Sequence, residues 1–142
     1  MLMSNREEKM NGYLPSVGLP AARKAIAAYS STDSHVVLED DVIIASGASG
    51  ALELVISGMM NEGDNILVPK PGFPLYQVIS ESLGGSVKHY RLRADRNWEC
   101  DLNEMDQMID SRTRAILVCN PSNPCGSNYS AQHLTDIAAV AR

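Results

Sequence analysis

Residues 66–90 read ILVPKPGFPLYQVISESLGGSVKHY, and this stretch decides the fold. Ile66–Val68 is a short apolar run that predicts a buried strand, and Pro69–Pro74 predicts a loop. The next apolar residues recur at helical spacing and stop at Gly84–Gly85, which is typical of a helix end; they are Leu75, Val78, Ile79 and Leu83. Val87–Tyr90 then combines polar and apolar side chains, as an edge or half-exposed strand does. The order strand, helix, strand predicts two parallel strands joined by a helix.

The same alternation continues on both sides of this stretch. Val42–Ala45 predicts a buried strand, and Ala115–Cys119 predicts the most apolar strand of the chain. Asp101–Glu104 predicts a capping box for a short helix, and Ser130 predicts the cap of the last helix. The last helix has the apolar stripe Leu134, Ile137, Ala138 and Ala141. Two further helices are predicted from the apolar stripes Leu19, Ala22, Ile26 and Tyr29, and Leu52, Val55, Ile56 and Met59. The pattern predicts the α/β class, with a parallel sheet covered by helices on both faces.

Composition narrows the class of protein. The 142 residues are 44% hydrophobic and 20% charged, which excludes a disordered or low-complexity chain and predicts one core. The net charge is -5 and no basic run is present, so we expect no nucleic-acid partner. No apolar run approaches the ~20 residues of a membrane span, so we expect no membrane partner.

Cysteine usage and the chain ends lead to two further expectations. Cys100, Cys119 and Cys125 form no CxxC pair, so we predict neither a disulfide framework nor a metal site. With no secretory signal near the first residue, this favours a cytoplasmic protein. The last residues, Ala141–Arg142, fall inside a predicted helix, which leads us to expect a fragment of a longer protein.

Three loops follow predicted strands, at the sheet edge where ligands bind in open parallel sheets. Ser46–Gly50 consists of small residues only and opens a helix, so its backbone N–H groups could approach a phosphate closely. A tight turn with serine as the helix cap explains this loop equally well.

The other two loops carry an aromatic ring and an amide. Phe73 is the only phenylalanine and stands between prolines, so it could stack on a planar ring, although a plug under the loop is the commoner use. Tyr76 follows one turn later, with a hydroxyl near the same place or simply at the surface. Asn120–Gly126 contains two Asn-Pro pairs, and Asn123 could offer its amide to a ligand. The alternative is an Asx turn that only ends the strand, and the proline density weakens it.

Four motifs in this order resemble the fold-type-I pyridoxal-phosphate aminotransferases, and within them the tyrosine aminotransferase branch. They are NGYLPSVG at 11–18, VIIASGASGALEL at 42–54, NILVPKPGFPLYQ at 65–77 and AILVCNPSNPCGSNYS at 115–130. The resemblance implies a three-layer αβα sandwich with a mostly parallel sheet, of which this chain holds part of the large domain. It divides the chain into an N-terminal segment, 1–18, and a partial cofactor-binding domain, 19–142.

The resemblance also implies a cofactor and roles for single residues. The cofactor is pyridoxal 5'-phosphate, with Gly47, Ala48 and Ser49 at its phosphate and Tyr76 near its ring. Phe73 is expected to stack on the pyridine face, and Asn123 to hydrogen-bond the phenolic oxygen. Gly18 and Tyr13 are expected at the substrate, together with Asn123. Substrates would be an amino acid and a 2-oxo acid, and full-length relatives form homodimers that act in tyrosine catabolism.

The residues that the family uses for catalysis are not in this sequence. The Schiff-base lysine, the aspartate at the pyridinium nitrogen and the arginine at the substrate carboxylate all come from later segments. None of the four lysines stands in the lysine motif; they are Lys9, Lys24, Lys70 and Lys88. The resemblance therefore predicts that this chain alone is inactive.

Three functions remain open from the sequence. The first is a fragment of an aminotransferase for tyrosine or another aromatic amino acid. The second is the same chemistry on alanine or kynurenine, and the third is a non-catalytic phosphate-binding α/β module. Asp-x-x-Tyr and Ser-x-x-Lys segments downstream of Arg142 would favour an enzyme.

The resemblance implies two details of the backbone. The strand at Ile43–Ile44 would lie at the far edge of the sheet, away from the other strands of this chain, and so would lack its neighbours here. The Asn123–Pro124 bond would be cis.

Overall fold

The computed structural model describes residues 12–142, which form two compact units, 12–51 and 52–142. Lys9, Asn11 and most of the predicted N-terminal segment lie outside the described residues. Within the described part, no helix is both long and apolar enough to cross a membrane.

The first unit is built on helix α1, Pro20–Ser30, which starts at a proline as predicted. Its predicted apolar stripe is wrong, because Leu19, Ile26 and Tyr29 are exposed while Arg23 and Ala27 are buried. The cause is polar. The Arg23 guanidinium donates to the backbone oxygens of Val42 and Glu39, at 2.8 and 2.7 Å, and to the Asp40 carboxylate at 3.0 Å. This hydrogen bonding turns the Arg23 side of the helix inward.

The prediction of a buried strand at Val42–Ala45 is wrong for residues 12–142. The segment has no strand partner there, and the amide of Ile44 donates instead to the oxygen of Val17 at 3.0 Å. Ile43 is 60% exposed. An apolar run becomes a strand only where a neighbouring strand takes up its backbone groups, and none does so here.

The second unit contains a four-stranded sheet in the order β3-β2-β1-β4. The strands are β1, Asn65–Lys70; β2, Ser86–Arg93; β3, Glu99–Cys100; and β4, Thr113–Ile116. The central strand β1 is parallel to both β2 and β4, and only the two-residue β3 is antiparallel. The predicted parallel connection through residues 66–90 is confirmed.

β4 is shorter than predicted, because it ends at Ile116 and not at Cys119. The amide of Leu117 still donates to the oxygen of Leu67 at 2.9 Å. After Leu117 the chain turns away from β1 into the Asn120–Gly126 loop. The sequence stays apolar there, although the backbone hydrogen bonds to β1 have ended.

Helices cover both faces of this sheet. Helix α2, Gly47–Met59, begins in the first unit; its last two turns and α3, Leu75–Ser82, lie on one face. Helices α4, Leu102–Met108, and α5, Ala131–Val140, lie on the other. The two apolar clusters are Ile56, Met60, Ile66, Val68, Tyr76 and Ile79, and Leu67, Tyr90, Leu92, Cys100, Met105, Tyr129 and Ile137. The α/β class and the three layers are confirmed.

The helix stripes of this unit are only partly correct. Ile56, Ile79 and Ile137 are buried as predicted. Other stripe residues are exposed, namely Val55, Met59, Val78, Leu134, Ala138 and Ala141. Tyr76 and His133 take up part of the buried faces instead. Each helix contacts the sheet along a narrow line. The apolar stripe predicted from helical spacing is therefore wider than the helix face that packs against the sheet.

Helix starts follow the sequence closely. The Asp101 carboxylate accepts from the amide of Glu104 at 3.2 Å, and the Ser130 hydroxyl accepts from the amide of His133 at 3.1 Å. The capping box is incomplete, because the Glu104 carboxylate accepts from Arg91 at 2.8 and 2.9 Å and does not return to Asp101.

Asp110 joins the ends of neighbouring strands and predicts a pH dependence. Its carboxylate accepts from Lys88 Nζ at 2.6 Å, from Asn65 at 3.0 Å and from the amide of Arg112 at 2.8 Å. These contacts, Lys88 first, hold the pKa of Asp110 well below its ordinary value. A carboxyl group with a lowered folded-state pKa stabilises the fold above its unfolded-state pKa, near 4, and this stabilisation is lost as the pH falls.

We expect Asp110→Asn to lower the urea midpoint of unfolding at pH 7. The difference between variant and wild type should shrink below about pH 4, where the wild-type carboxyl group loses its advantage. The measurement is urea unfolding at pH 7 and pH 3, with the exposed Asp106→Asn as the control. An equal difference at both pH values would contradict this account.

Candidate functional site

The first turn of α2 carries the predicted phosphate donors. Gly47, Ala48 and Ser49 are exposed, and no acidic residue stands in this turn. The first amides of a helix have no acceptor within the helix, and the helix dipole favours a negative charge there. The amide of Gly47 donates to the oxygen of Ala45 at 3.0 Å, which leaves the amides of Ala48 and Ser49 as the donors for an anion. Their role at a phosphate stays a prediction.

Gly18 lies in the same unit and has no room for a side chain. Its φ is +103°, and a Cβ atom placed on it would stand 2.7 Å from Cβ of Ile44. The amide of Gly18 donates to the oxygen of Pro15 at 2.9 Å. Only glycine adopts this φ readily and also leaves room for the Ile44 side chain. The backbone conformation at this position therefore requires glycine. Tyr13 is fully exposed.

The loop after β1 presents the Phe73 ring. Phe73 is 39% exposed, and its ring meets the ring of Tyr76 nearly at right angles, with the centroids 5.8 Å apart. A Cβ atom on Gly72 would overlap the backbone oxygen of Pro69, so the loop in this conformation admits only glycine there. Phe73 therefore keeps a free aromatic surface on a constrained loop.

Tyr76 is buried, with 7% of its surface exposed, which excludes a surface position for this side chain. Burial, together with the neighbouring Cys119 thiol, raises the pKa of Tyr76 to about 12. The hydroxyl is thus a neutral phenol at physiological pH. Tyr76 connects the helix after β1 with the chain that follows β4.

The loop after β4 is closed by its own hydrogen bonds. Asn120 Oδ1 accepts from the amide of Tyr129 at 2.9 Å, and the amides of Ser122 and Gly126 donate to Ser127 and Ser122 at 2.9 and 2.7 Å. Asn123 is exposed, and its side-chain amide has no hydrogen-bond partner among residues 12–142. The amide is available to a ligand.

The backbone of these loops contains three cis peptide bonds. Asn123–Pro124 is cis, as predicted. Asn120–Pro121 and Lys70–Pro71 are also cis, in addition to the bond expected from the sequence.

The sheet brings two of the predicted loops to one edge. Because β1 and β4 are adjacent and parallel, the loops that follow them, with Phe73 and Asn123, leave from the same edge. Tyr76 lies between them through its contacts with Phe73 and Cys119. Gly18, Tyr13 and the first turn of α2 belong to the other unit.

One polar group at this edge, His89, was not predicted from the sequence. A cavity of about 280 Å³ beside Phe73 is lined in part by Lys70, Gln77 and His89. His89 Nδ1 is buried and has no partner in the described part of the chain. The parallel register sets His89 opposite Val68, near the end of β1, and only strand pairing could have revealed this. No cluster of residues suited to a metal ion occurs within 12–142.

Each of these groups suits one kind of ligand chemistry. A helix start without acidic residues suits a phosphate, a half-exposed ring suits an aromatic face, and an unpartnered amide suits an oxygen.

Comparison with known proteins places the chain among proteins of one kind. The family model for aminotransferase class I and II matches residues 3–142. Tyrosine aminotransferase of Dictyostelium discoideum is 52% identical over 143 residues, covering 100% of this chain and 34% of that protein. The crystal structure of tyrosine aminotransferase from Leishmania infantum has a TM-score of 0.90 at 41% identity, over 94% of this chain and 34% of that one.

A second solved structure is named for a different substrate. Alanine aminotransferase from Pyrococcus furiosus has a TM-score of 0.89 at 34% identity, over 95% of this chain and 35% of that one. The present chain thus spans about a third of the length of the relatives that it matches.

Proposed function

Because this chain belongs to the aminotransferase class I and II family, we propose that it is part of an enzyme that transfers the amino group of tyrosine or another aromatic amino acid to a 2-oxo acid. The cofactor is pyridoxal 5'-phosphate. Residues 19–142 form part of the cofactor-binding domain and 1–18 the N-terminal segment before it. The whole protein is a cytoplasmic homodimer, a proposal that rests on the family resemblance and on cysteine usage.

One observation carries the proposal. Phe73 and Asn123 stand on loops that leave the same edge of the sheet, one with a free ring surface and the other with an unpartnered amide. This is the pair of groups that a pyridine ring with an adjacent oxygen requires. When bound, pyridoxal phosphate supplies a ring that takes up the negative charge developing at the substrate Cα.

Each residue of this chain then has a defined task. The amides of Ala48 and Ser49, with Gly47 beside them, bind the phosphate group, which anchors the cofactor at one end. Phe73 covers one face of the ring and excludes water from it. Asn123 donates a hydrogen bond to the phenolic oxygen, which stabilises negative charge on that atom. The backbone at Gly18 approaches the substrate carboxylate, and Tyr13 lies in the same segment. We assign no catalytic residue to this chain.

The test uses a full-length enzyme made by replacing the matching 143-residue region of the Dictyostelium relative with residues 1–142 of this chain. We expect Phe73→Ala to weaken pyridoxal phosphate binding by about 0.5–1.5 kcal/mol from lost stacking. Asn123→Ala should keep the cofactor bound and move the pH titration of its absorbance by about one unit, because a hydrogen bond to the charged oxygen is lost.

The matched control for the amide is Asn128→Ala, since Asn128 is also exposed and lies five positions further along the chain. It should leave both the affinity and the titration unchanged. If Phe73→Ala and Asn123→Ala also left them unchanged, the assignment of these loops would be wrong.

The donor amino acid is tested on the whole protein that contains this chain, because the enzyme made with the Dictyostelium relative keeps about two thirds of a tyrosine aminotransferase and would show that protein's preference. The ratio of kcat/KM for tyrosine to that for alanine and for kynurenine decides between the aromatic and the alternative substrates. Similarity to an alanine aminotransferase structure, with a TM-score of 0.89, makes alanine the second candidate. A higher kcat/KM for alanine would overturn the aromatic assignment and leave the cofactor site intact.

A further inference from the structure

Tyr76 occupies a different environment from the other residues expected at the cofactor. Only 7% of its surface is exposed, and it packs in the apolar cluster with Ile79 and Leu117. Phe73 and Asn123 are both exposed. The core thus holds the Tyr76 ring, and Tyr76 presents little surface to a ligand.

The Tyr76 ring is in direct contact with the ring of Phe73. The centroids are 5.8 Å apart and the planes meet at 82°. This edge-to-face arrangement is one of the two that aromatic pairs favour, because the positive edge of one ring meets the negative face of the other. Tyr76 therefore limits the rotation of a ring whose loop is already constrained at Gly72.

Tyr76 also packs beside the segment that leads into the loop after β4. Its hydroxyl lies beside the thiol of Cys119, one residue before the Asn120–Gly126 loop. Leu117 of the same segment packs against the cluster that contains Tyr76. One buried side chain thus touches both the stacking residue and the chain that leads to Asn123.

We propose that Tyr76 is a positioning residue whose ring holds the Phe73 ring in the orientation that stacks on pyridoxal phosphate, without touching the cofactor itself. The inference rests on the proposed function, since it needs Phe73 to stack on the cofactor. It assigns the effect of Tyr76 to Phe73 alone.

A double-mutant cycle in the full-length enzyme tests this proposal. The dissociation constant of pyridoxal phosphate and the visible circular dichroism of the bound cofactor are measured for Tyr76→Leu, Phe73→Ala and the double variant. We expect Tyr76→Leu to weaken binding about two- to tenfold and to reduce the dichroism. In the Phe73→Ala background the same substitution should change the dissociation constant less than about twofold.

Two further variants separate positioning from general loosening of the core. Tyr76→Phe keeps the ring and should bind the cofactor as the wild type does. Ile79→Val removes one buried methyl group from the same cluster without touching the aromatic pair, and it should also leave binding unchanged. Tyr76→Met, which is apolar and unbranched, replaces Tyr76→Leu if the latter does not fold.

The possible outcomes distinguish this inference from the proposed function. If Phe73→Ala leaves the dissociation constant unchanged, stacking by Phe73 is wrong and the positioning role falls with it. If Phe73→Ala weakens binding but Tyr76→Leu weakens it equally in both backgrounds, only the positioning role is overturned. A loss with Tyr76→Phe as large as that with Tyr76→Leu would also overturn it, because the ring would then not be the active group.

Discussion

A polypeptide of residues 1–142 alone is expected to show no transamination above the rate of free pyridoxal phosphate. Transamination needs a lysine amine that holds the cofactor and moves a proton at the substrate, and none of the lysines stands in the family's motif. In the described residues, Lys88 is bound to Asp110 and to the backbone oxygen of Met108, both at 2.6 Å. Lys24 is exposed on α1, and Lys70 is exposed at the end of β1.

Lys70 is the lysine that could give a false positive in an absorbance measurement. It lines the cavity beside Phe73, so its amine could react with free cofactor and give an absorbance similar to that of a true enzyme. Turnover must therefore be measured, with tyrosine, a 2-oxo acid and excess cofactor supplied together. The full-length enzyme made with the Dictyostelium relative is the positive control. Turnover by residues 1–142 that disappears on changing any one of the four lysines would contradict the prediction.

Arg23→Met should lower the free energy of unfolding by about 3 kcal/mol, because hydrogen bonds to charged groups contribute about 1.5–3 kcal/mol each. Two of those made by Arg23 end on backbone oxygens, of Val42 and Glu39, that would lose their partner. Only 8% of the Arg23 surface is exposed, so water cannot readily replace the guanidinium. The expected result is a lower urea midpoint together with faster hydrogen exchange at residues 39–42.

Two variants on the same helix give the comparison. Arg23→Lys keeps the charge but has no planar fork to reach both backbone oxygens, so it should lose a smaller part of the stability. Lys24→Met changes an exposed neighbour and should be close to neutral. If Arg23→Met were no more destabilising than Lys24→Met, the hydrogen bonds of Arg23 would not hold this segment.

The fold could be predicted where the pattern is local. Helix starts at Pro20, Asp101 and Ser130 follow from one or two residues, and the structure has each of them. The strand at Val42–Ala45 and the end of β4 could not be predicted in this way. A strand forms only when it pairs with another strand, which can be distant in the sequence. An apolar run does not indicate whether such a partner strand is present. Arg23 was missed for a similar reason, since its acceptors lie 16 and 19 positions away.

For the candidate site, the positions of the loops could be predicted from the sequence better than the roles of the side chains in them. Glycine, proline and asparagine mark the turns after β1 and β4, so Phe73 and Asn123 could be singled out without coordinates. Tyr76 and His89 could not be placed, because burial and strand register decide what their side chains face. The cofactor roles themselves remain predictions, to be tested by the Phe73 and Asn123 variants.

The strand order also has a consequence for how this chain folds during synthesis. The central strand β1 pairs on one side with β2, which lies about 20 residues further along the chain. On its other side it pairs with β4, which begins only at Thr113. Domains form from the N-terminus as the ribosome proceeds, so β1 and β2 can pair while one side of β1 is still open. That side is an unpaired strand edge with buried-type side chains, which is the surface that promotes association between chains. The time taken to translate residues 94–112 therefore sets how long a nascent chain is exposed to misassembly.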